Sequence, residues 1–278
     1  GTDTGGSVRI PAALCGLVGF KPTASRVSTR GVLPLSPTLD SVGPIARTVS
    51  CCAAVDAVLA GESIGAVEPL APESLRLGLV ETLVWDDADA HVRRSCEGAV
   101  DALARAGVTI IPCKLPALRE ILAVNAAGGF SALESWLWHK DLLRRCADEY
   151  DPRVRVRIER GAAMSDADRE QLVRAREQLR AAVASELPAV DAWLMPTVPK
   201  VAPRIAELET DAAYFEMNRL MLRNPSLVNF LDGCAVSLPC HEVGTAPVGL
   251  SVVGAQGQDR RLLAVALAIE PVVGSRAT

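Results

Sequence analysis

The chain opens with the stretch Gly1-Thr2-Asp3-Thr4-Gly5-Gly6-Ser7-Val8-Arg9-Ile10-Pro11, from which the rest of the sequence is interpreted. Glycine has no Cβ, so a Gly-Gly pair lets the backbone bend sharply and bring amide N–H groups together. The serine that follows places a hydroxyl beside those donors. Acyl transfer requires this arrangement, a nucleophile next to an oxyanion hole. Because Gly-Gly-Ser alone is also a common turn, its meaning depends on the flanking residues.

The flanking residues make this opening specific. The chain continues with Ala12-Ala13-Leu14-Cys15-Gly16-Leu17-Val18-Gly19-Phe20-Lys21-Pro22-Thr23. Residues 1–23 resemble the signature segment of the amidase signature family, in which the serine after the two glycines is acylated. Residues 30–49 are similar to the segment that follows the nucleophile in that family, so the resemblance is continuous over about 50 residues. Short strings at 191–197, 235–240 and 247–254 also match, although Ser251 stands where the family usually has glutamine.

The resemblance implies a Ser–cis-Ser–Lys mechanism with Ser7 as the nucleophile. By the same resemblance, Asp3 and Arg9 brace the loop rather than take part in chemistry. The oxyanion hole is expected to consist of the amide N–H groups of Thr4, Gly5, Gly6 and Ser7.

The base that would activate Ser7 is not found in the sequence. The lysine and bridging serine of the family belong to upstream segments, and Lys21 falls on a position of the signature that is not catalytic. We therefore expect the chain to be the C-terminal part of a longer polypeptide. Alone it is predicted to be inactive, and an N-terminal segment of the same protein is the partner that completes it.

Composition and hydrophobic pattern predict an α/β protein. Hydrophobic residues make up 49% of the chain but aromatic residues only 4%, which fits Ala-rich helices around a sheet better than an all-β sandwich. Residues 75–80 and 108–113 read as strands on either side of an amphipathic helix at 92–106, a pattern typical of parallel pairing. We predict a mixed, mostly parallel central sheet covered by helices on both faces, the amidase signature fold without its N-terminal portion, as one domain over residues 1–278. Further helices are predicted at 47–59, 117–149, 166–187, 214–231 and 261–270, and further strands at 191–197, 235–240 and 247–254.

Two tryptophans stand in the predicted helix over 117–149. Trp136 and Trp138 are two residues apart and cannot share a helix face, so one is expected to pack inward and the other to meet a groove or a partner. The family lines its acyl pocket with this region, which makes either ring a candidate substrate contact, with core packing as the alternative. His139 is predicted to face solvent and is not proposed as a base.

Charge and cysteine usage exclude several functions. The net charge is −4 with no basic stripe, which gives nucleic-acid binding no electrostatic support. The eight cysteines have no C-x-x-C spacing and the three histidines are scattered, so free thiols are expected, with no metal or cofactor. No signal peptide and no apolar stretch of about 20 residues is found, so a cytoplasmic protein without a membrane span is expected. A homodimer is left open.

Three other interpretations of the opening fail on chemistry. A phosphate loop would need a lysine after the glycines, an aspartic protease a second D-T-G, and a Ser-His-Asp triad a histidine in a supporting motif. The sequence predicts an amidase that hydrolyses a small-molecule carboxylic amide. Two alternatives stay open: the glutaminase component of a tRNA-dependent amidotransferase, and a non-catalytic binding homologue.

Overall fold

The structure, a computed structural model, describes residues 1–274. The strands in chain order are β1 (Thr2–Asp3), β2 (Val18–Lys21), β3 (Ser41–Val42), β4 (Ile45–Ala46), β5 (Arg76–Val80), β6 (Thr109–Cys113), β7 (Ala192–Pro196), β8 (Cys234–Pro239) and β9 (Gly249–Gly254). The α-helices are α1 (Arg9–Leu14), α2 (Val49–Leu59), α3 (Ala90–Arg105), α4 (Ala117–Val124), α5 (Gly129–Cys146), α6 (Pro152–Glu159), α7 (Asp166–Glu186), α8 (Asp211–Leu231) and α9 (Asp259–Gly274).

Seven of these strands form one mixed sheet in the order β4-β2-β8-β9-β7-β5-β6, while β1 and β3 pair separately. The mixed sheet is confirmed, but the prediction that it is mostly parallel is corrected. Parallel pairing joins β5 to β6 and to β7, and the other neighbours pair antiparallel. The connections between strands explain the difference. Helix α3 crosses over between β5 and β6 and so keeps these strands parallel, whereas a loop without a helix joins β8 to β9 and reverses the chain direction.

Helices cover both faces of the sheet, which confirms the α/β class. Successive side chains of β7 point to opposite faces of the sheet. Leu194 packs with α2, α3 and α9 on one face, while Trp193 and Met195 pack with α4, α5, α7 and α8 on the other. The unit β5-α3-β6 follows its sequence pattern. One face of α3 is buried through Val92, Cys96 and Leu103, and the helix is followed by a glycine with φ +94° at Gly107.

Helix α1 lies directly on the sheet, which sets the position of the residues that precede it. A Cβ at Gly19 of β2 would lie 2.7 Å from Ala12 Cβ, and one at Gly249 of β9 would lie 2.6 Å from Ala13 Cβ. Contacts that short do not occur between real Cβ atoms, so glycine at these two positions allows α1 to approach. The segment from Ser7 into α1 is therefore fixed against the centre of the fold.

Helix α8 also packs against this segment. Thr210 caps its start by accepting a hydrogen bond from the amide of Ala213, and the helix ends at Asp232 in a left-handed conformation with φ +57°. Pro225 lies inside this helix.

None of the helices within residues 1–274 combines the length and the apolar character needed to cross a membrane.

Candidate active site

The Ser7 loop (residues 4–8) connects β1 to α1, and its shape depends on Gly6. Gly6 has φ +129°, a conformation that residues with a side chain rarely adopt. A Cβ there would lie 2.6 Å from Ile10 Cδ1 and 2.7 Å from Pro225 Cβ. The sharp bend inferred from the Gly-Gly pair is therefore present, and it leaves Ser7 exposed at the surface of the described residues.

The carboxylate of Asp3 is the centre of a buried hydrogen-bond network. Its Oδ1 accepts from the amide of Gly6 at 2.8 Å and its Oδ2 from the amide of Val8 at 3.2 Å. The guanidinium of Arg9 donates to both oxygens, from Nε at 3.0 Å and from Nη2 at 2.9 Å. Both side chains are completely buried, so the ion pair fixes the loop from inside.

Burial raises the pKa of Asp3, but the charge and hydrogen bonds of Arg9 outweigh it and lower that pKa to about 2. Asp3 is therefore ionised throughout the neutral range. The other terminal nitrogen of Arg9, Nη1, is buried without a hydrogen-bond partner.

Two further residues hold the loop and were not proposed as site residues from the sequence. Asn229 on α8 donates to the carbonyl oxygen of Asp3 at 2.9 Å and to its Oδ1 at 3.0 Å, and accepts from Arg9 Nη2 at 2.7 Å. Asp40 accepts a 2.5 Å hydrogen bond from Thr4 Oγ1. The resemblance over 30–49 included Asp40 and could have indicated it, whereas nothing in the local sequence around Asn229 reveals a contact 226 residues away.

The four amides expected to form the oxyanion hole are not equivalent. The Gly6 amide already donates to Asp3, so it is not free to bind an oxyanion in this conformation. Within residues 1–274, the amides of Thr4, Gly5 and Ser7 donate no hydrogen bond. These three amides of the Ser7 loop are therefore available as donors.

No lysine or histidine within the described residues hydrogen-bonds to Ser7. Lys21 is fully buried and donates to the carbonyl oxygen of Pro22 at 2.7 Å. Burial, followed by the charge of Arg9, lowers the pKa of Lys21 to about 8. His139, predicted to face solvent, is instead half-buried, because it packs against Tyr150 with 2.7 Å between Nδ1 and the phenolic oxygen. Burial lowers the pKa of His139.

The two tryptophans of α5 lie in different surroundings, as their spacing indicates. Trp136 is half-buried where the chain passes at Gly161, and a Cβ at that glycine would lie 2.5 Å from Trp136 Cβ. Trp138 is 43% exposed and stacks edge-on against His139, with 4.5 Å between ring centroids. Their role as substrate contacts stays a prediction.

A cleft of about 820 Å³ lies away from the Ser7 loop, between α7 and the ends of β7 and β9. All of its lining residues lie between Glu177 and Arg261, and none belongs to the Ser7 loop, so we do not assign this cleft to the chemistry of Ser7. Within residues 1–274, no three His, Cys, Asp or Glu side chains are grouped so that they could hold a metal ion.

Comparison with known proteins identifies relatives over almost the whole chain. The Amidase family model matches residues 1–263. The chain is 34% identical over 277 residues to 2-amino-5-chloromuconic acid deaminase of Comamonas testosteroni, which covers 99% of this chain and 60% of that protein. It is 32% identical over 301 residues to indoleacetamide hydrolase of Rhizobium radiobacter, with 99% of this chain and 63% of the relative covered.

Two other similarities concern an amidotransferase and a solved structure. The chain is 30% identical over 288 residues to a component of the glutamyl-tRNA(Gln) amidotransferase of Clostridium botulinum, which covers 91% of this chain and 59% of that relative. A crystal structure described as an amidase superposes with a TM-score of 0.87 at 31% identity, with 99% of this chain and 62% of that one covered. The chain thus spans about three fifths of the length of the relatives it matches.

Proposed function

The chain belongs to the amidase signature family, and on that premise we propose that the complete protein hydrolyses a carboxylic amide to an acid and ammonia through an acyl-enzyme on Ser7. One observation carries the proposal. The exposed Ser7 stands on a sharply bent loop in which three amides, those of Thr4, Gly5 and Ser7, donate no hydrogen bond within residues 1–274. The buried Asp3–Arg9 pair holds that loop in place.

The chemistry follows from this arrangement. The Ser7 oxygen attacks the amide carbonyl carbon, and the negative charge that develops on the carbonyl oxygen is stabilised by the free amides of the loop. The C–N bond breaks, the nitrogen takes up a proton, and ammonia leaves an ester on Ser7. Attack by water on that ester releases the acid and returns a proton to the serine oxygen.

A group that removes the proton from Ser7 is required, and we propose that it is the lysine and bridging serine implied by the family resemblance. Neither is assigned among these 278 residues, and no described lysine hydrogen-bonds to Ser7. The greater length of the relatives supports a contribution from a segment outside this sequence. On this proposal the 278-residue chain alone does not turn over substrate.

We propose a small-molecule amide as the substrate. The indoleacetamide hydrolase relative suggests an amide whose acyl group carries a ring. Trp136 and Trp138 remain candidates for contact with such a group, and Trp138 has an exposed indole. All eight cysteines are unpaired, which suits the reducing conditions of the proposed cytoplasmic location.

Ammonia release from a panel of amides tests the proposal. The panel contains indole-3-acetamide, benzamide, simple aliphatic amides and glutamine, and the complete protein is compared with its Ser7→Ala variant and with the 278-residue chain. We expect ammonia release from at least one amide by the complete protein and by neither of the other two. Turnover by the Ser7→Ala variant would exclude Ser7 as the nucleophile.

A glutaminase function is the second candidate, because the chain is 30% identical to a component of a glutamyl-tRNA(Gln) amidotransferase. It predicts that glutamine is hydrolysed only when a partner protein is present. Hydrolysis of another amide without any partner would favour the stand-alone amidase. If no amide is hydrolysed and Ser7 does not react with an acylating probe, a non-catalytic homologue is the remaining explanation.

A further inference from the structure

A glutamate on α5 holds residues 35–40, which contact the Ser7 loop through Asp40. Glu134 Oε2 accepts hydrogen bonds from Ser36 Oγ at 2.5 Å and from the Thr38 amide at 3.0 Å. Its Oε1 accepts from Thr38 Oγ1 at 2.5 Å. One carboxylate therefore binds three donors of residues 35–40, about a hundred residues earlier in the chain.

The other end of that segment holds the Ser7 loop. Asp40 Oδ2 accepts from the amides of Leu35 at 3.0 Å and Ser36 at 3.1 Å, while its Oδ1 accepts the 2.5 Å bond from Thr4 Oγ1. Ser36 is thus bound by both carboxylates, through its hydroxyl to Glu134 and through its amide to Asp40. The contacts form a continuous series from α5 to Thr4.

We propose that Glu134 is a positioning residue for the nucleophile. It fixes residues 35–40 so that Asp40 can hold Thr4, and Thr4 carries one of the three free amides beside Ser7. The inference rests on the proposed function, because it assigns those amides to the oxyanion. It also connects the nucleophile to the helix that carries Trp136, so a substrate that displaces α5 would displace the Ser7 loop as well.

The acceptor chemistry suggests three variants and a control. Glu134→Ala removes every acceptor from the three donors. Glu134→Gln keeps one oxygen for the Thr38 amide, and its new N–H₂ group can donate to a hydroxyl that turns to accept, so it should restore most of the function. Thr38→Val removes only the hydroxyl that donates to Glu134 Oε1, so it is a milder test that leaves Glu134 itself unchanged. Glu120→Ala changes an exposed glutamate of α4 and serves as the matched control.

Two measurements on the complete protein test the proposal. Hydrogen–deuterium exchange reports on the amides of residues 1–10 and 35–42, with α9 as an internal reference. The rate at which a fluorophosphonate labels Ser7 reports on the nucleophile. For Glu134→Ala we expect exchange in residues 1–10 to accelerate about tenfold and labelling to slow about tenfold, because a half-buried carboxylate that accepts three hydrogen bonds is lost. Thr38→Val should change both about threefold, and Glu134→Gln and the control should stay within about twofold of the unmodified protein.

Faster exchange at 35–42 with unchanged exchange at 1–10 would overturn the proposal, because Glu134 would then hold only its own segment. If Glu134→Ala unfolds, which faster exchange in α9 would report, Thr38→Val decides: no change in residues 1–10 overturns the proposal. A protein that the probe never labels at Ser7 contradicts the proposed function instead, and the exchange of residues 1–10 still decides the role of Glu134.

Discussion

Replacing Asp3 by asparagine removes the charge around which the Ser7 loop is built. The carboxylate accepts hydrogen bonds from Arg9 at 2.9 and 3.0 Å and from Asn229 at 3.0 Å, in addition to those from the loop amides. Asp3→Asn leaves the guanidinium of Arg9 buried without a counter-charge and replaces one acceptor oxygen by an N–H₂ group that faces other N–H donors. Breaking a buried pair in this way costs about 3–5 kcal/mol of unfolding free energy, so we expect a loss of that size at pH 7.

The pH dependence of stability gives a second estimate from the same site. The pKa of Asp3 is about 2 in the folded protein against 3.8 as its ordinary value, so the unfolded state binds more protons between these values. The stability due to this ionisation is complete above pH 4 to 5 and is lost as the pH falls toward 2. A shift of this size is worth about 2 kcal/mol.

Urea denaturation at pH 7 and at steps between pH 5 and pH 2 measures both effects. Asp101→Asn, on the exposed face of α3, is the control and should stay within about 0.5 kcal/mol of the unmodified protein. If Asp3→Asn does not fold, the acid titration of the unmodified protein still tests the reasoning. An Asp3→Asn variant within about 1 kcal/mol of the unmodified protein at pH 7, or a stability difference that does not shrink below pH 4, would refute it.

Three further substitutions probe the surroundings of the loop. Gly6→Ala should slow labelling of Ser7 at least tenfold and cost about 1–3 kcal/mol, whereas Gly31→Ala, also at positive φ but with open space around it, should leave labelling unchanged. The pKa of Lys21 is about 8 in the folded protein, below its ordinary value of 10.5, so the unfolded state binds more protons between pH 8 and pH 10.5. The free energy of unfolding should therefore rise by about 3 kcal/mol over that range. Lys21→Met should abolish this rise in a series of denaturation curves. Asn229→Asp puts a second carboxylate where Nδ2 now donates to Asp3 at 3.0 Å, and should cost about 3 kcal/mol at pH 7 and less at pH 5, measured by denaturation.

The elements with strong local signals were predicted well from the sequence. The unit β5-α3-β6 was recognised because strand alternation, an amphipathic helix and Gly107 all pointed to the same structure. The start of α7 has a local signal of the same kind, because Ser165 and Asp168 form a capping box there. Strands β8 and β9, close together in the sequence, were expected to be an antiparallel pair or neighbouring strands, and they pair antiparallel. The antiparallel pairing of β2 with β8 was not predicted, because it joins segments more than two hundred residues apart.

The same distinction applies to the candidate site. The bend at Gly6 follows from the absence of a Cβ, which the sequence states directly. The Gly6 amide donates to Asp3, only three residues earlier in the chain. In contrast, the support that Asn229 and Glu134 give to the loop depends on tertiary contacts at separations of 226 and 96 to 98 residues. Local residue patterns carry no signal for such contacts. The half-burial of His139 was missed because its partner Tyr150 lies beyond the end of α5, eleven residues further along the chain.

Covalent labelling of the complete protein tests most directly whether Ser7 is the acylated nucleophile. The protein is treated with a fluorophosphonate, digested, and mapped by mass spectrometry, while amide hydrolysis is followed in the same samples. We predict one adduct, on Ser7, with hydrolysis lost in proportion to labelling and no adduct in Ser7→Ala. An adduct on a different residue that abolishes hydrolysis, or full hydrolysis after complete labelling of Ser7, would contradict the account.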